Sequence, residues 1–169
     1  VVEVGPGIGS NFPHYPTAVT EVVAVEPEPY LRARSEAAAA RAPVTVKVVE
    51  GVADRLPLED GSVDAAVASL VLCSVPDQAV ALAELHRVIR SGGELRFYEH
   101  VISNRASRRR LQRFMDATFW PHMAGGCHVT RNTRSEIERA GFIIQRSRRF
   151  PFPPGAFGLP HILGSARRP

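Results

Sequence analysis

Apolar, largely β-branched runs recur along the chain at residues 1–4, 21–26, 44–50, 63–72 and 94–101. Between them lie an alanine-rich stretch over 30–41 and a segment over 78–89 with Val80, Leu82, Leu85, Val88 and Ile89 at mostly helical spacing. Runs of this kind suit strands buried on both faces, and their alternation with helices predicts a parallel sheet covered on both sides. Two further strand-like stretches, 142–146 and 161–166, complete a doubly wound, mostly parallel, seven-stranded α/β sheet. The 169 residues, 44% of them hydrophobic, suffice for one globular domain over 1–169 and include no apolar run long enough to cross a bilayer. Because Val1 already lies inside a strand, an upstream segment is expected.

The first strand runs into Glu3-Val4-Gly5-Pro6-Gly7-Ile8-Gly9-Ser10-Asn11. Glycines on alternate positions allow a tight turn with no Cβ in the way of a ligand, and a helix is expected to start near Ser10 or Asn11. A dinucleotide fingerprint would need a glycine where Ser10 stands, and a P-loop would need a Gly-Lys-Ser/Thr ending that is not there. The second strand ends at Glu26-Pro27, where doubly wound folds place a carboxylate that accepts hydrogen bonds from a ribose diol. Gly51-Val52-Ala53 closes the third strand, Ser69-Leu70 lie at the end of the fourth and His100 at the end of the fifth, all on the ligand side of such a sheet.

Charge divides the chain. Residues 1–100 carry 8 basic and 14 acidic side chains, and residues 101–169 carry 13 and 3. Arg105, Arg108, Arg109, Arg110 and Arg113 could attract anionic lipid, nucleic acid or an acidic partner. No interleaved aromatics or nucleic-acid motif accompany them, which argues against nucleic acid. An amphipathic helix over 107–123 is expected to carry Leu111, Phe114, Met115, Phe119 and Trp120, with Pro121 breaking it. Ser91-Gly92-Gly93 should stop the helix over 78–89, and Thr133 with Glu136 reads as a capping box for a helix over 133–140. Residues 150–160 read as a proline- and glycine-rich loop. Cys73 and Cys127 have no metal-ligand spacing and read as small buried hydrophobes, which predicts no metal and a reducing, cytoplasmic setting.

Taken together, these residues resemble class I S-adenosylmethionine-dependent methyltransferases. The stretches Gly9-Ser10-Asn11-Phe12, Leu70-Val71-Leu72-Cys73-Ser74-Val75, Glu99-His100-Val101, Gly126-Cys127-His128-Val129-Thr130-Arg131 and Pro160-His161-Ile162 narrow this to a group similar to the thiol S-methyltransferases of eukaryotic membranes and lipid droplets. The resemblance implies S-adenosyl-L-methionine as cofactor and S-adenosyl-L-homocysteine as product. The cofactor would be held by Glu3, Gly5, Gly7, Gly9, Asn11, Glu26, Pro27, Gly51, Val52, Ala53, Ser69 and Leu70. Many members place an Asp where Val52 stands, so backbone groups of Val52 and Ala53, or Asp54, would have to meet the adenine. His100 or His128 could take the proton of a small-molecule acceptor, residues 102–135 would form a lid on the substrate side, and an upstream segment would attach the chain to a membrane. A thiol acceptor is expected. Nitrogen or carbon acceptors, or a non-catalytic lipid- or partner-binding protein on the same fold, remain open, as does the oligomeric state.

Overall fold

A computed structural model describes residues 1–153 and 158–169. Residues 154–157 of the expected 150–160 loop lie outside the described residues. The apolar runs resolve into seven strands: β1 (Val2–Val4), β2 (Glu21–Val25), β3 (Thr45–Val49), β4 (Val63–Ser69), β5 (Ile89–His100), β6 (Ile143–Phe152) and β7 (Leu159–Arg167). They form one sheet in the order β3-β2-β1-β4-β5-β7-β6. β3 through β5 pair in parallel, while β7 pairs antiparallel with both β5 and β6. β1 is sandwiched between β2 and β4, and all three of its residues are buried. The chain crosses from one side of β1 to the other between β3 and β4, so a crevice opens outside the carboxyl ends of the central strands.

Among the described residues five helices accompany the sheet: α1 (Pro29–Ala39), α2 (Gln78–Val88), α3 (Ala106–Thr118), α4 (Trp120–Met123) and α5 (Thr133–Arg139). Asp77 caps α2, its Oδ1 accepting from the amides of Ala79 and Val80 at 2.7 and 3.3 Å. Ala81, Leu82, Leu85 and Val88 of α2 are fully buried in the cluster that holds Leu95 and Phe97 of β5 and Ile137 of α5. None of the described helices is long and apolar enough to cross a membrane.

Three expectations fail for physical reasons. No α-helix follows the glycine loop; a single 3-10 turn, Phe12–His14, stands there. Pro16 holds Tyr15 extended (φ −67°, ψ 130°) and cannot donate to a helical ladder, so the turn cannot propagate. Ser91, Gly92 and Gly93 do not end α2, which stops at Val88; Ile89 is already extended and the glycines form an irregularity inside β5. Thr133 is not a capping residue. Asn132 holds the cap position with no side-chain cap bond, and buried Thr133 accepts from Gln78 Nε2 at 3.1 Å. A groove of about 840 Å³ crosses β4, β5, β7 and β6 and is lined, among the described residues, by Asn11 and strand residues such as Val67, Ser69, Arg96, Tyr98 and Arg148.

Candidate active site

The glycine loop forms a cradle because three of its residues are left-handed. Gly9 has φ 80°, and a Cβ there would lie 2.7 Å from both Ala38 and the Phe12 ring, so nothing larger fits. Gly7 has φ 59°, and a Cβ there would meet nothing within 4 Å: this is the open side of the cradle. The Gly7 amide donates to Glu26 Oε2 at 3.0 Å and the Glu28 amide to Oε1 at 3.1 Å. Buried Glu26 is thereby fixed beside the open space with lone pairs to spare on both oxygens. Arg32 Nη1 ties down the same corner through the carbonyls of Glu26 and Pro27, and Pro27 itself is exposed.

Glu3 and Asn11 occupy an inner layer. Glu3 is 1% exposed and both its oxygens are taken, by Asn11 Nδ2 and by Tyr15 Oη, each at 2.8 Å. Burial pushes its carboxyl above the usual range against the pull of those two donors. The pair anchors the 3-10 turn that closes the loop, so Glu3 and Asn11 shape the cradle from behind. Gly51 packs against Val25 and Pro57, while Val52 is exposed at 46% and stands at the rim with Ala53 behind it.

Beyond Ser69 the chain turns sharply. Leu70 has φ 58°, a left-handed conformation that costs a non-glycine residue about 1–2 kcal/mol. The turn aims three successive amides at one carboxylate: Val71 and Leu72 donate to Glu99 Oε1 at 3.1 and 2.9 Å, and Cys73 to Oε2 at 3.0 Å. Glu99 is fully buried, and burial raises its carboxyl well above the usual range despite those amides. From the other side, Arg131 donates to the carbonyls of Leu72 and Val75, each at 2.6 Å, and the His128 amide donates to the Cys73 carbonyl at 2.7 Å.

The two cysteines are buried as expected, but they are not separate packing residues. Cys73, His100 and Cys127 offer donor atoms that all lie within 4.8 Å of one another. His100 Nδ1 is 3.7 Å from Cys73 Sγ and 3.4 Å from Cys127 Sγ. The hydrogen bond with Cys127, together with burial, pushes the Cys73 thiol up to about 12, and the same bond draws Cys127 down. The Trp120 indole N–H lowers Cys127 further. That nitrogen is buried with no partner at ordinary hydrogen-bond geometry. His128 stands apart from this cluster. Its Nδ1 is 3.7 Å from Asp116 Oδ2, a carboxylate fixed by the amides of Val129 and Thr130 and by the Thr130 hydroxyl. Its side chain is 41% exposed.

Gln112, which the sequence did not single out, joins α3 to the strand ends. Its Nε2 donates to the carbonyls of Val101 and Val129, and its Oε1 accepts from the Ser103 amide at 2.7 Å. Beside it a mostly apolar cavity of about 350 Å³ is lined by Leu111, Met115, Trp120, Phe152 and Leu159. Trp120 and Leu159 also pack against the buried cluster of Cys73, Cys127 and Val129, so the cavity and the sulfur site share a wall.

A glycine cradle at the switch point of a 3-2-1-4-5-7-6 sheet, with an acid fixed at the end of β2, defines the class. The methyltransferase domain family matches residues 2–97, and the chain belongs to it. Thiol S-methyltransferase TMT1B of Mus musculus is 38% identical over 170 residues, spanning 98% of this chain and 69% of that protein. Thiol S-methyltransferase TMT1A of Homo sapiens is 33% identical over 171 residues, with the same coverage. Among solved structures, an S-adenosylmethionine-dependent methyltransferase from Methanosarcina mazei superposes with a TM-score of 0.77 at 18% identity, covering 98% of this chain and 91% of that one. This protein is an S-adenosylmethionine-dependent methyltransferase, and the open space at Gly7 beside Glu26 fits that cofactor.

Proposed function

We propose that the acceptor is a small apolar thiol and that the reaction is S-methylation. The observation that carries this reading is the match, along 98% of the chain, to mammalian proteins named thiol S-methyltransferases. The cofactor, when bound, supplies the methyl group on an intrinsically reactive sulfonium. The protein's task is to align the acceptor and remove its proton. Gly5, Gly7, Gly9 and Glu26, with Val52 and Ala53 at the rim, hold the cofactor, and Ser69 and Leu70 border the acceptor side. The cavity beside Trp120 takes the apolar body of the acceptor, and residues 102–135 act as its lid. His128 accepts the thiol proton at Nε2, because Asp116 faces Nδ1 and orients the ring. His100, with its Nδ1 turned to two sulfurs, is the poorer base.

The test is a mass-spectrometric search for a gain of one methyl on alkyl thiols, a phospholipid amine and a quinol. Methylated thiol is the expected result; a methylated amine or quinol with every thiol unchanged overturns it. His128→Gln should lower thiol turnover by about tenfold or more near pH 7. The loss should shrink as the pH approaches a free thiol's pKa of about 8.5, where the thiolate forms unaided.

A second reading concerns location. Leu111 and Phe114 are 58% and 61% exposed on α3, beside Arg110 and Arg113. We propose that this face rests on an anionic lipid surface while the rest of the chain stays on the cytoplasmic side. Cosedimentation with phosphatidylserine vesicles tests it; binding that survives Leu111→Ser with Phe114→Ser overturns it.

A further inference from the structure

We propose that Cys73, His100 and Cys127 form a zinc site with an open fourth position. The three donors come from three segments: the loop after β4, the last residue of β5 and the loop after α4. A tetrahedral Zn²⁺ with ordinary bond lengths sets its sulfur and nitrogen donors about 3.6 Å apart and its two sulfurs about 3.8 Å apart. The observed sulfur–nitrogen separations are 3.7 and 3.4 Å, and all three atoms lie within 4.8 Å of each other. The two sulfur–nitrogen edges therefore have nearly the dimensions a metal would impose.

The supports of these donors are rigid and independent. Cys73 is pinned through its backbone by Glu99 and by the His128 amide. His100 is paired in β5 with His161 of β7, and the two imidazoles lie 4.3 Å apart, tilted at 43°. Cys127 is closed into a turn by its amide bond to Ala124 at 3.1 Å. Two thiolates and a neutral imidazole neutralise a divalent cation, and thiolate donors select a soft, redox-inert ion such as zinc. Three protein ligands leave one position for an outside donor. That arrangement belongs to reactive zinc sites, whereas structural ones close with a fourth side chain. Trp120, whose buried indole N–H faces Cys127, lies on the wall shared with the apolar cavity.

The fourth position takes the sulfur of the acceptor, a clause that rests on the thiol reading above. In that step the thiol S–H bond breaks, a zinc–sulfur bond forms and the proton leaves to the surrounding water. A metal-bound thiol is deprotonated outright, so the cation holds the acceptor as thiolate near neutral pH.

The test uses the whole chain, stripped with a chelator and reloaded with zinc or cobalt(II). One equivalent of metal should bind, and the cobalt form should show a thiolate-to-cobalt charge-transfer band with intense tetrahedral d–d bands. Zinc should also protect both cysteines from a thiol reagent. Cys127→Ala and His100→Ala should each weaken metal binding by more than about 100-fold. Circular dichroism and calorimetric cofactor binding confirm that each variant is folded. Absence of the charge-transfer band, or a Cys73–Cys127 disulfide forming under peroxide in the presence of zinc, overturns the site. Thiol methylation, read by mass spectrometry, is scored separately. An added alkyl thiol should shift the cobalt band; metal bound with no such shift overturns the fourth-position clause alone.

Discussion

α2 and α3 are amphipathic helices of 11 and 13 residues that spend their apolar residues in opposite ways. α2 buries Ala81, Leu82, Leu85 and Val88 completely against the sheet and α5. α3 buries Gln112, at 3% exposure, and leaves Leu111 and Phe114 more than half exposed. The difference lies in what each helix meets. α2 lies on side chains of regular strands, whose backbone groups are already paired. α3 lies against the irregular exits of β5 and the Val129 loop, where unpaired amides and carbonyls need a polar partner. Periodicity shows that a helix has an apolar stripe; the neighbouring backbone decides which stripe goes inward.

Four measurements sharpen or break this contrast. Leu85→Ala should be the most damaging, lowering stability by about 2–5 kcal/mol in chemical denaturation, because it opens a cavity in the packed core. Gln112→Leu, nearly equal in size, should cost about 1–3 kcal/mol by orphaning the Ser103 amide and two carbonyls. If Gln112→Leu is stabilising, α3 packs by its apolar content after all and the contrast fails. The third is a pH effect on α2. The hydrogen bond from Arg87 holds the Glu84 carboxyl below its ordinary value of 4.5. The stabilisation is therefore present above pH 4.5 and lost as the pH falls through the lower folded value, so Glu84→Gln should flatten the acid side of a thermal-midpoint profile. The effect should stay under about 1 kcal/mol, since the pair is partly solvated. Phe114→Ala should change stability least, within about 0.5 kcal/mol. Its consequence should appear in vesicle binding instead.

Much of the fold was legible in the sequence because buried parallel strands are marked residue by residue, and the cradle because glycines and a strand-end acid are local signals. Pro16 held a local signal too, since it stops the helix expected after Gly9, but the glycine pattern outweighed it. The sulfur–imidazole cluster had no such mark. Its three residues lie on separate segments, so no spacing could announce them; only the adjacency of the β4 and β5 ends brings Cys73 to His100, and only the loop after α4 brings Cys127. The direction of α3 was hidden for the reason given above.

The left-handed Leu70 has a consequence for how this protein could change. Its backbone holds a strain of about 1 kcal/mol that a glycine at the same place would release. Leu70→Gly would thus relax the bend and, by the same act, loosen the amides that Glu99 gathers. Glycine would relieve the folded state but also enlarge the unfolded one. At this position a more comfortable backbone and a more sharply aimed Cys73 are competing goods, and a chain selected for turnover would keep the discomfort.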